Sequence, residues 1–138
     1  NLQIRVIDNW TGDAAELLAD AIAGLGGVTT LFEDTVDIAG GAAPISGERM
    51  DYGYPGADGR IRTGILTAFV NEGRGFLIDL DGLQGDEAGL MTLADAIAAN
   101  WRFIPPADSY ATEWLTALLS GYNILYPPGM AFEDLNGW

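Results

Sequence analysis

The sequence predicts an α+β fold: a single domain with an antiparallel sheet of about six strands packed by two to three helices. Three observations support this prediction. Short segments alternate apolar and polar residues, as half-buried strands do. Turn signals join the central segments into hairpins. Before and after these hairpins lie segments with apolar residues at helical spacing. The chain has 138 residues, of which 49% are hydrophobic, so residues 1–138 fit one domain with a sizeable core.

The N-terminal part predicts a strand followed by a helix. Leu2, Ile4 and Val6 alternate with polar residues. The segment TGDAAELLADAIAGLGG then places its apolar residues on one helical face. Asp13 and Glu16 have the spacing of a capping box, and the glycines that follow are typical of a helix end. Residues 28–38 predict a further strand.

The central part predicts three strands, over residues 45–54, 60–70 and 74–81. The segments PGADG and NEG join them. The second turn fits a three-residue hairpin loop with Gly73 in the left-handed conformation. With these loops, Ala68 lies opposite Phe76, Tyr54 opposite Arg60, and Tyr52 opposite Arg62.

Two more segments have helical spacing. GDEAGLMTLADAIAANWRF predicts a helix that covers the apolar face of the sheet, with Asp86 at its N-terminus. DSYATEWLTALLSG, residues 108–121, predicts a last helix.

Residues 121–138 predict a terminal strand pair, which ends in the hairpin signal Leu135-Asn136-Gly137. If this segment lies beside the first strand, the apolar positions of both coincide. Phe132 then meets Leu2, and Met130 meets Ile4. A hairpin turn is followed by a second strand, but only Trp138 follows this one. The strand that would complete the hairpin could come from the same chain, from the next unit of a tandem array, or from a neighbouring molecule. The predicted interface residues are Leu2, Ile4, Met130, Phe132 and Trp138.

Composition excludes several classes of function. Twenty acidic residues against six arginines give a net charge of −14, which disfavours nucleic acid and anionic lipid as partners. The chain contains no histidine, cysteine or lysine, so triads, thiol chemistry and most transition-metal sites are excluded. No nucleotide-binding fingerprint occurs. We therefore expect no enzyme activity, no cofactor, no metal and no membrane-spanning segment. The first residue is Asn, which favours a processed, excised or engineered chain.

One family resemblance is carried by the C-terminal residues. Rotated to begin at residue 121, the chain resembles PsbP/DcrB-like domains, which open with a pattern matched here by Gly121, Tyr122, Ile124, Tyr126, Pro127 and Gly129. ADAIAANWRF, residues 94–103, is similar to their closing helix and strand. The order would be circularly permuted. The resemblance implies an extracytoplasmic, non-enzymatic role in a larger assembly or as an accessory domain, and it transfers no catalytic residues.

Two polar constellations have competing interpretations. Tyr52, Tyr54, Arg60 and Arg62 form a candidate ligand-binding edge for an anionic or aromatic molecule; alternatively, each arginine stacks on its tyrosine and meets nearby acids. The acidic segment DLDGLQGDE, residues 79–87, could hold calcium. Its acids also fit helix capping, and Asp79 fits a cross-strand pair with Arg49 beside Ile65.

The sequence thus favours a structural or assembly module, in which the protein partner is a second copy or a larger assembly bound through the terminal strands. The alternative is a monomeric ligand-binding or accessory domain that uses the tyrosine–arginine edge.

Overall fold

The computed structural model describes residues 1–40 and 42–103 and the strands Leu115–Leu119 and Tyr122–Tyr126. The chain divides into two compact units, Asn1–Arg102 and Phe103–Trp138. The first unit has two helices and a five-stranded antiparallel sheet, which confirms the predicted α+β class. Among the described helices, neither is long and apolar enough to cross a membrane.

The elements of the first unit are β1 Leu2–Ile7, α1 Ala14–Leu25, β2 Thr29–Ile38, β3 Ile45–Pro55, β4 Ile61–Asn71, β5 Arg74–Leu83 and α2 Glu87–Asn100. Its sheet has the strand order β1-β5-β4-β3-β2, and every neighbouring pair is antiparallel. The central three strands follow each other directly in sequence, whereas β1 joins the sheet beside β5.

The two helices cover opposite faces of this sheet. On one face, Leu17, Leu18 and Ala21 of α1 pack on a cluster from the three central strands that includes Leu66 and Leu77. On the other face, α2 packs on neighbours of those residues in the same strands. There Ala94 meets Ile65 and Leu80. Alternate residues of the central strands therefore face different helices, which explains why the middle of β4, residues 63–69, is buried throughout.

Helix α1 begins as its sequence predicts. The side chain of Asp13 accepts a hydrogen bond from the Glu16 amide at 2.8 Å, and the Glu16 carboxylate accepts one from the Asp13 amide at 3.1 Å. This reciprocal pair satisfies two amides that the first turn leaves without helical partners. The capping box is confirmed.

The turn between β4 and β5 has two residues, so the predicted three-residue loop is wrong. Asn71 pairs with Arg74, and Glu72 and Gly73 both have positive φ, +50° and +74°. Two successive left-handed residues are the signature of a type I′ hairpin turn. The register moves by one residue, and Phe69 rather than Ala68 lies opposite Phe76.

The turn between β3 and β4 also differs from the prediction. Pro55 pairs with Ile61, so Tyr54 lies opposite Arg62 and Tyr52 opposite Gly64. The predicted pairs of Tyr54 with Arg60 and Tyr52 with Arg62 are therefore wrong. The loop closes one residue later than expected because the amide of Gly56 donates to the carbonyl of Arg60 at 2.7 Å.

A buried arginine joins three elements on the α2 face. Arg49 of β3 is 8% exposed. Its guanidinium donates to both carboxylate oxygens of Asp34 on β2, at 3.0 and 2.8 Å, and to Asp95 on α2. These charged hydrogen bonds raise the pKa of Arg49. The predicted pairing of Arg49 with Asp79 is wrong, since Arg49 lies opposite Thr67.

The second unit contains a hairpin where part of the last helix was predicted. Strands β6, Leu115–Leu119, and β7, Tyr122–Tyr126, pair antiparallel, with Leu119 opposite Tyr122. The helix prediction over residues 108–121 is therefore wrong for Leu115–Leu119. The predicted strand after residue 121 is present as β7, and the rest of the predicted terminal strand pair, residues 127–138, lies outside the described residues.

Candidate functional site

Two tyrosines cross the sheet toward its β5 side on the α1 face. Tyr52 of β3 is 2% exposed, and its hydroxyl donates to Oδ1 of Asp79 on β5 at 2.7 Å. The hydroxyl of Tyr54 donates to Oδ2 of Asp81 at 3.2 Å. Their rings stack with centroids 5.8 Å apart. Both side chains thus span β4 to reach a carboxylate two strands away.

Gly64 of β4 makes this crossing feasible for Tyr52. A β-carbon at Gly64 would lie 2.6 Å from Cε1 of Tyr52, closer than atoms can approach. The ring occupies the space that a side chain on β4 would fill. Sheets use glycine in this way where another group approaches the backbone closely.

Burial changes the acidity of the groups in this site. Burial raises the pKa of Tyr52, and the hydrogen bond to Asp79 raises it further. Burial likewise raises the pKa of Tyr54, with Asp81 adding to the effect. The pKa of Asp79 is raised by burial and partly restored by the Tyr52 hydroxyl. Both hydroxyls therefore stay protonated at neutral pH and act as hydrogen-bond donors.

These residues border a cavity of about 230 Å³. One wall is polar and comes from β1, β3 and β5, while the C-terminal end of α1 and the residues after it supply an apolar wall. The lining residues are Asn1, Gln3, Leu25, Val28, Tyr52, Tyr54, Asp79 and Asp81.

The two arginines of the predicted ligand-binding edge do not line this cavity. Arg62 is 3.8 Å from Asp81 and 3.9 Å from Asp58, and it does not line the cavity. Arg60 has a side chain 71% exposed and lies 4.0 Å from Asp58. The structure therefore brings Tyr52, Tyr54 and Arg62 together, with Arg62 joined to Tyr54 through Asp81. Arg60 is not part of this group. A ligand-binding role for these four residues stays a prediction.

Asp79 and Asp81 were not predicted as partners of the tyrosines. A signal for them exists in the sequence, because Glu72-Gly73 fits a two-residue turn. That turn places Asp79 and Asp81 on the tyrosine face. Read with a three-residue loop, the same residues fall on the opposite face.

The remaining acids of residues 79–87 serve local structure. Oδ2 of Asp86 accepts from the amide of Leu83 at 3.1 Å, and the Glu87 carboxylate accepts from the amide of Gly85. The hydrogen bond from the Gly85 amide lowers the pKa of Glu87. Within the described part of the chain, no three acidic side chains are placed to hold a metal ion together.

Strand β1 forms one edge of the five-stranded sheet. Leu2 and Ile4 are 49% and 45% exposed, although they lie opposite Leu80 and Ile78, which are 1% and 3% exposed. Among the described residues, β1 pairs with β5 alone. Met130, Phe132 and Trp138 lie outside the described residues, so their pairing with β1 stays a prediction.

No protein-family model matches the chain, and no curated protein is significantly similar to it in sequence. A solved structure that matches is LpqN, involved in cell envelope biogenesis of Mycobacterium tuberculosis. It is 21% identical, with a TM-score of 0.46, and the match covers 70% of this chain and 60% of LpqN. The resemblance to PsbP/DcrB-like domains is not confirmed and stays a prediction.

Proposed function

We propose that this chain is a non-enzymatic, extracytoplasmic structural or assembly module that associates with a second copy through its terminal strands. The observation that carries the proposal is the edge strand β1, where Leu2 and Ile4 are about half exposed beside a buried neighbouring strand. An edge strand offers unpaired backbone groups to another chain. Exposed apolar side chains on such an edge favour strand addition.

The segment MAFED, residues 130–134, is the proposed added strand. Antiparallel pairing with Phe132 opposite Leu2 also places Met130 opposite Ile4, because two residues forward along one strand correspond to two residues back along the other. All four side chains then lie on the face that α2 covers. The added strand would remove apolar surface from water at the point where β1 leaves it exposed.

The non-enzymatic part of the proposal rests on the residue types present, since histidine, cysteine and lysine are all absent. The extracytoplasmic part rests on the family resemblance and the acidic composition.

Light scattering of the 138-residue chain over a roughly hundredfold range of concentration tests the association. The average mass should rise above that of the monomer as concentration increases. Ile4→Glu should hold the chain monomeric, because it places a charge against the added strand. Leu31→Glu is the matched control, since Leu31 is an exposed apolar residue, 61% exposed, on the opposite edge strand β2.

Two results would contradict the proposal. A wild-type chain that is monomeric throughout would mean that β1 is completed within one chain or not at all. Loss of association in Leu31→Glu but not in Ile4→Glu would place the interface on β2.

A second candidate function is a ligand-binding domain, and the cavity bordered by Tyr52 and Tyr54 favours it. Ligand sites are commonly concave and combine apolar walls with a few directed polar groups. This function does not exclude assembly, because the cavity lies on the α1 face and Leu2 and Ile4 lie on the α2 face.

A further inference from the structure

The open edge of β1 has backbone groups that β5 does not use. The Asn1 nitrogen donates to the Asp81 carbonyl at 2.9 Å, and the Asp81 amide donates to the Asn1 carbonyl at 3.1 Å. Along an antiparallel ladder, pairs that exchange two hydrogen bonds in this way alternate with pairs whose amides and carbonyls point outward. The backbone groups of Leu2, Ile4 and Val6 therefore point away from β5, toward the edge of the sheet.

The side chains of Leu2 and Ile4 lie on the α2 face and are largely uncovered. Leu2 lies opposite Leu80, and Leu80 packs on Ala94 of α2. Leu2 and Ile4 are nevertheless 49% and 45% exposed. Helix α2 therefore covers β5 on this face and leaves the neighbouring edge strand open. The same two residues thus offer both free backbone groups and apolar side chains.

Helix α2 has an exposed leucine on its side nearer β1. Ala94 packs on the sheet, and the next residue, Asp95, reaches Arg49 of β3 in the direction of β2. Successive residues of a helix are turned by about 100°, so Leu93 lies on the side of Ala94 opposite to Asp95. The strand order places β5 and β1 on that side. Leu93 is 46% exposed.

This side of α2 carries no charge. Among residues 88–100, Asp95 is the only charged one, and it lies on the β2 side of the helix. Partly buried Leu90 and Ile97 adjoin Leu93 at helical spacing. In a chain with a net charge of −14, an uncharged apolar surface resembles the core of a protein interface, where charged residues are depleted. We call this surface the β1–α2 groove, and it consists of Leu2, Ile4, Leu90, Leu93 and Ile97.

The segment MAFED, residues 130–134, matches the free backbone positions of β1. With Phe132 opposite Leu2 and Met130 opposite Ile4, both pairs fall where the backbone groups of β1 point outward. Side chains opposite each other share one face of a sheet, so Phe132 and Met130 would lie on the α2 face. Phe132 would lie beside Leu2, at the level of Ala94 and its neighbour on the helix.

The prolines that precede this segment fall just outside the pairs it needs. Pro128 would lie opposite Val6, where the ladder calls for an amide that proline lacks. The ladder therefore ends after Met130. It has two hydrogen-bonded pairs, and this short contact depends on its apolar side chains as much as on its backbone.

We propose that the β1–α2 groove receives residues 130–134 of a second copy. The backbones of Leu2 and Ile4 bind the incoming strand, and Leu93 of α2 contacts the incoming Phe132 side chain. This inference rests on the proposed function, and it adds helix α2 and a specific set of backbone groups to the contact.

A peptide of residues 129–136, GMAFEDLN, added to the associated chain tests the backbone contacts by light scattering. The peptide should occupy the groove and lower the average mass. N-methylation of Phe132 removes an amide that the ladder uses, so at least about tenfold more peptide should be needed. N-methylation of Ala131 is the matched control, because its amide points away from β1, and it should leave the potency unchanged.

A substitution on α2 tests the helix side of the groove. Leu93→Glu should raise the concentration needed for association at least about tenfold, because it places a charge against an apolar side chain. Ala96→Glu is the matched control, since Ala96 is exposed on the side of the same helix away from the sheet. Urea unfolding checks that both variants fold. If Leu93→Glu does not fold, the peptide competition with the wild-type chain still decides the inference.

The outcomes separate the inference from the function on which it rests. An associated chain whose mass does not respond to the peptide would overturn the inference and leave the association intact. Inhibition that is lost on N-methylation of Ala131 but not of Phe132 would overturn it as well, since other backbone groups would then carry the ladder. Equal effects of Leu93→Glu and Ala96→Glu would exclude α2 from the contact and overturn the proposed groove. A chain that is monomeric at every concentration would overturn both the inference and the proposed function.

Discussion

At the scale of single residues, Gly64 determines how the α1 face is built. Without a side chain at this position, the Tyr52 ring lies across β4 and its hydroxyl reaches Asp79 at 2.7 Å. The same ring stacks on Tyr54, and both residues line the cavity. The absence of a side chain at Gly64 therefore allows a hydrogen bond between Tyr52 of β3 and Asp79 of β5, across β4.

We predict that Gly64→Ala destabilises the protein by about 1–3 kcal/mol, since the new methyl group displaces the Tyr52 ring and weakens its hydrogen bond. Urea unfolding measures the change. Gly53→Ala is the matched control, because the nearest atom to a β-carbon there, outside the adjoining residues, would be the carbonyl oxygen of Arg62 at an ordinary contact distance of 3.7 Å. Equal stability changes in the two variants would mean that Tyr52 does not depend on Gly64.

At the scale of elements, the turn between β4 and β5 sets the register of these two strands. Glu72 occupies the first left-handed position, with φ of +50°, where a side chain is strained and Asn or Gly is preferred. The turn forms despite this cost because Phe69 and Phe76, directly opposite each other, stack with centroids 5.0 Å apart.

Glu72→Asn should therefore stabilise the protein, by about 0.5 kcal/mol, because Asn tolerates the left-handed conformation better. Thermal and urea unfolding measure the gain. Glu72→Gln removes the same charge without this preference and should have little effect. If Gln stabilises as much as Asn, the gain comes from charge and the conformational explanation is wrong.

Elements could be predicted from the sequence where the residues that specify them lie close together in the chain. Helix α1 was predictable from Asp13 and Glu16, whose hydrogen bonds lie within one turn. The register was not, since NEG fits loops of two or three residues, and one residue's difference moves Asp79 to the other face. Without that register, the tyrosine–aspartate site could not be predicted. For β6, the run LTALL has an apolar pattern that suits helix and strand alike.

At the scale of the whole molecule, acidity and burial together set the pH dependence of stability. Burial raises the pKa of Asp51 and of Asp79 above the ordinary value of 3.8. Oδ1 of Asp51 is buried without a hydrogen-bond partner among the described residues. Between 3.8 and the raised pKa, the folded protein binds these protons more tightly than the unfolded chain does. Stability is therefore lost as pH rises through the folded-state pKa values.

The net charge of −14 acts in the same direction, since deprotonation adds repulsion. We predict greater stability at about pH 4.5 than at about pH 7. Urea unfolding at the two values measures the difference. The double variant Asp51→Asn, Asp79→Asn should show a smaller difference in stability between the two pH values. Asp37→Asn removes an exposed carboxylate and should leave that difference unchanged. Stability that rises toward neutral pH would contradict the prediction.

The position of β1 also has a consequence for the order of folding. Strands β3, β4 and β5 are joined by short turns, but the register of β1 connects residue 2 with residue 80. Closing so long a loop costs more conformational entropy than closing a hairpin. Non-local pairings of this kind form late. The meander of β3, β4 and β5 can therefore nucleate the sheet, and the β1 edge and the wall that Gln3 adds to the cavity would be among its last parts to form.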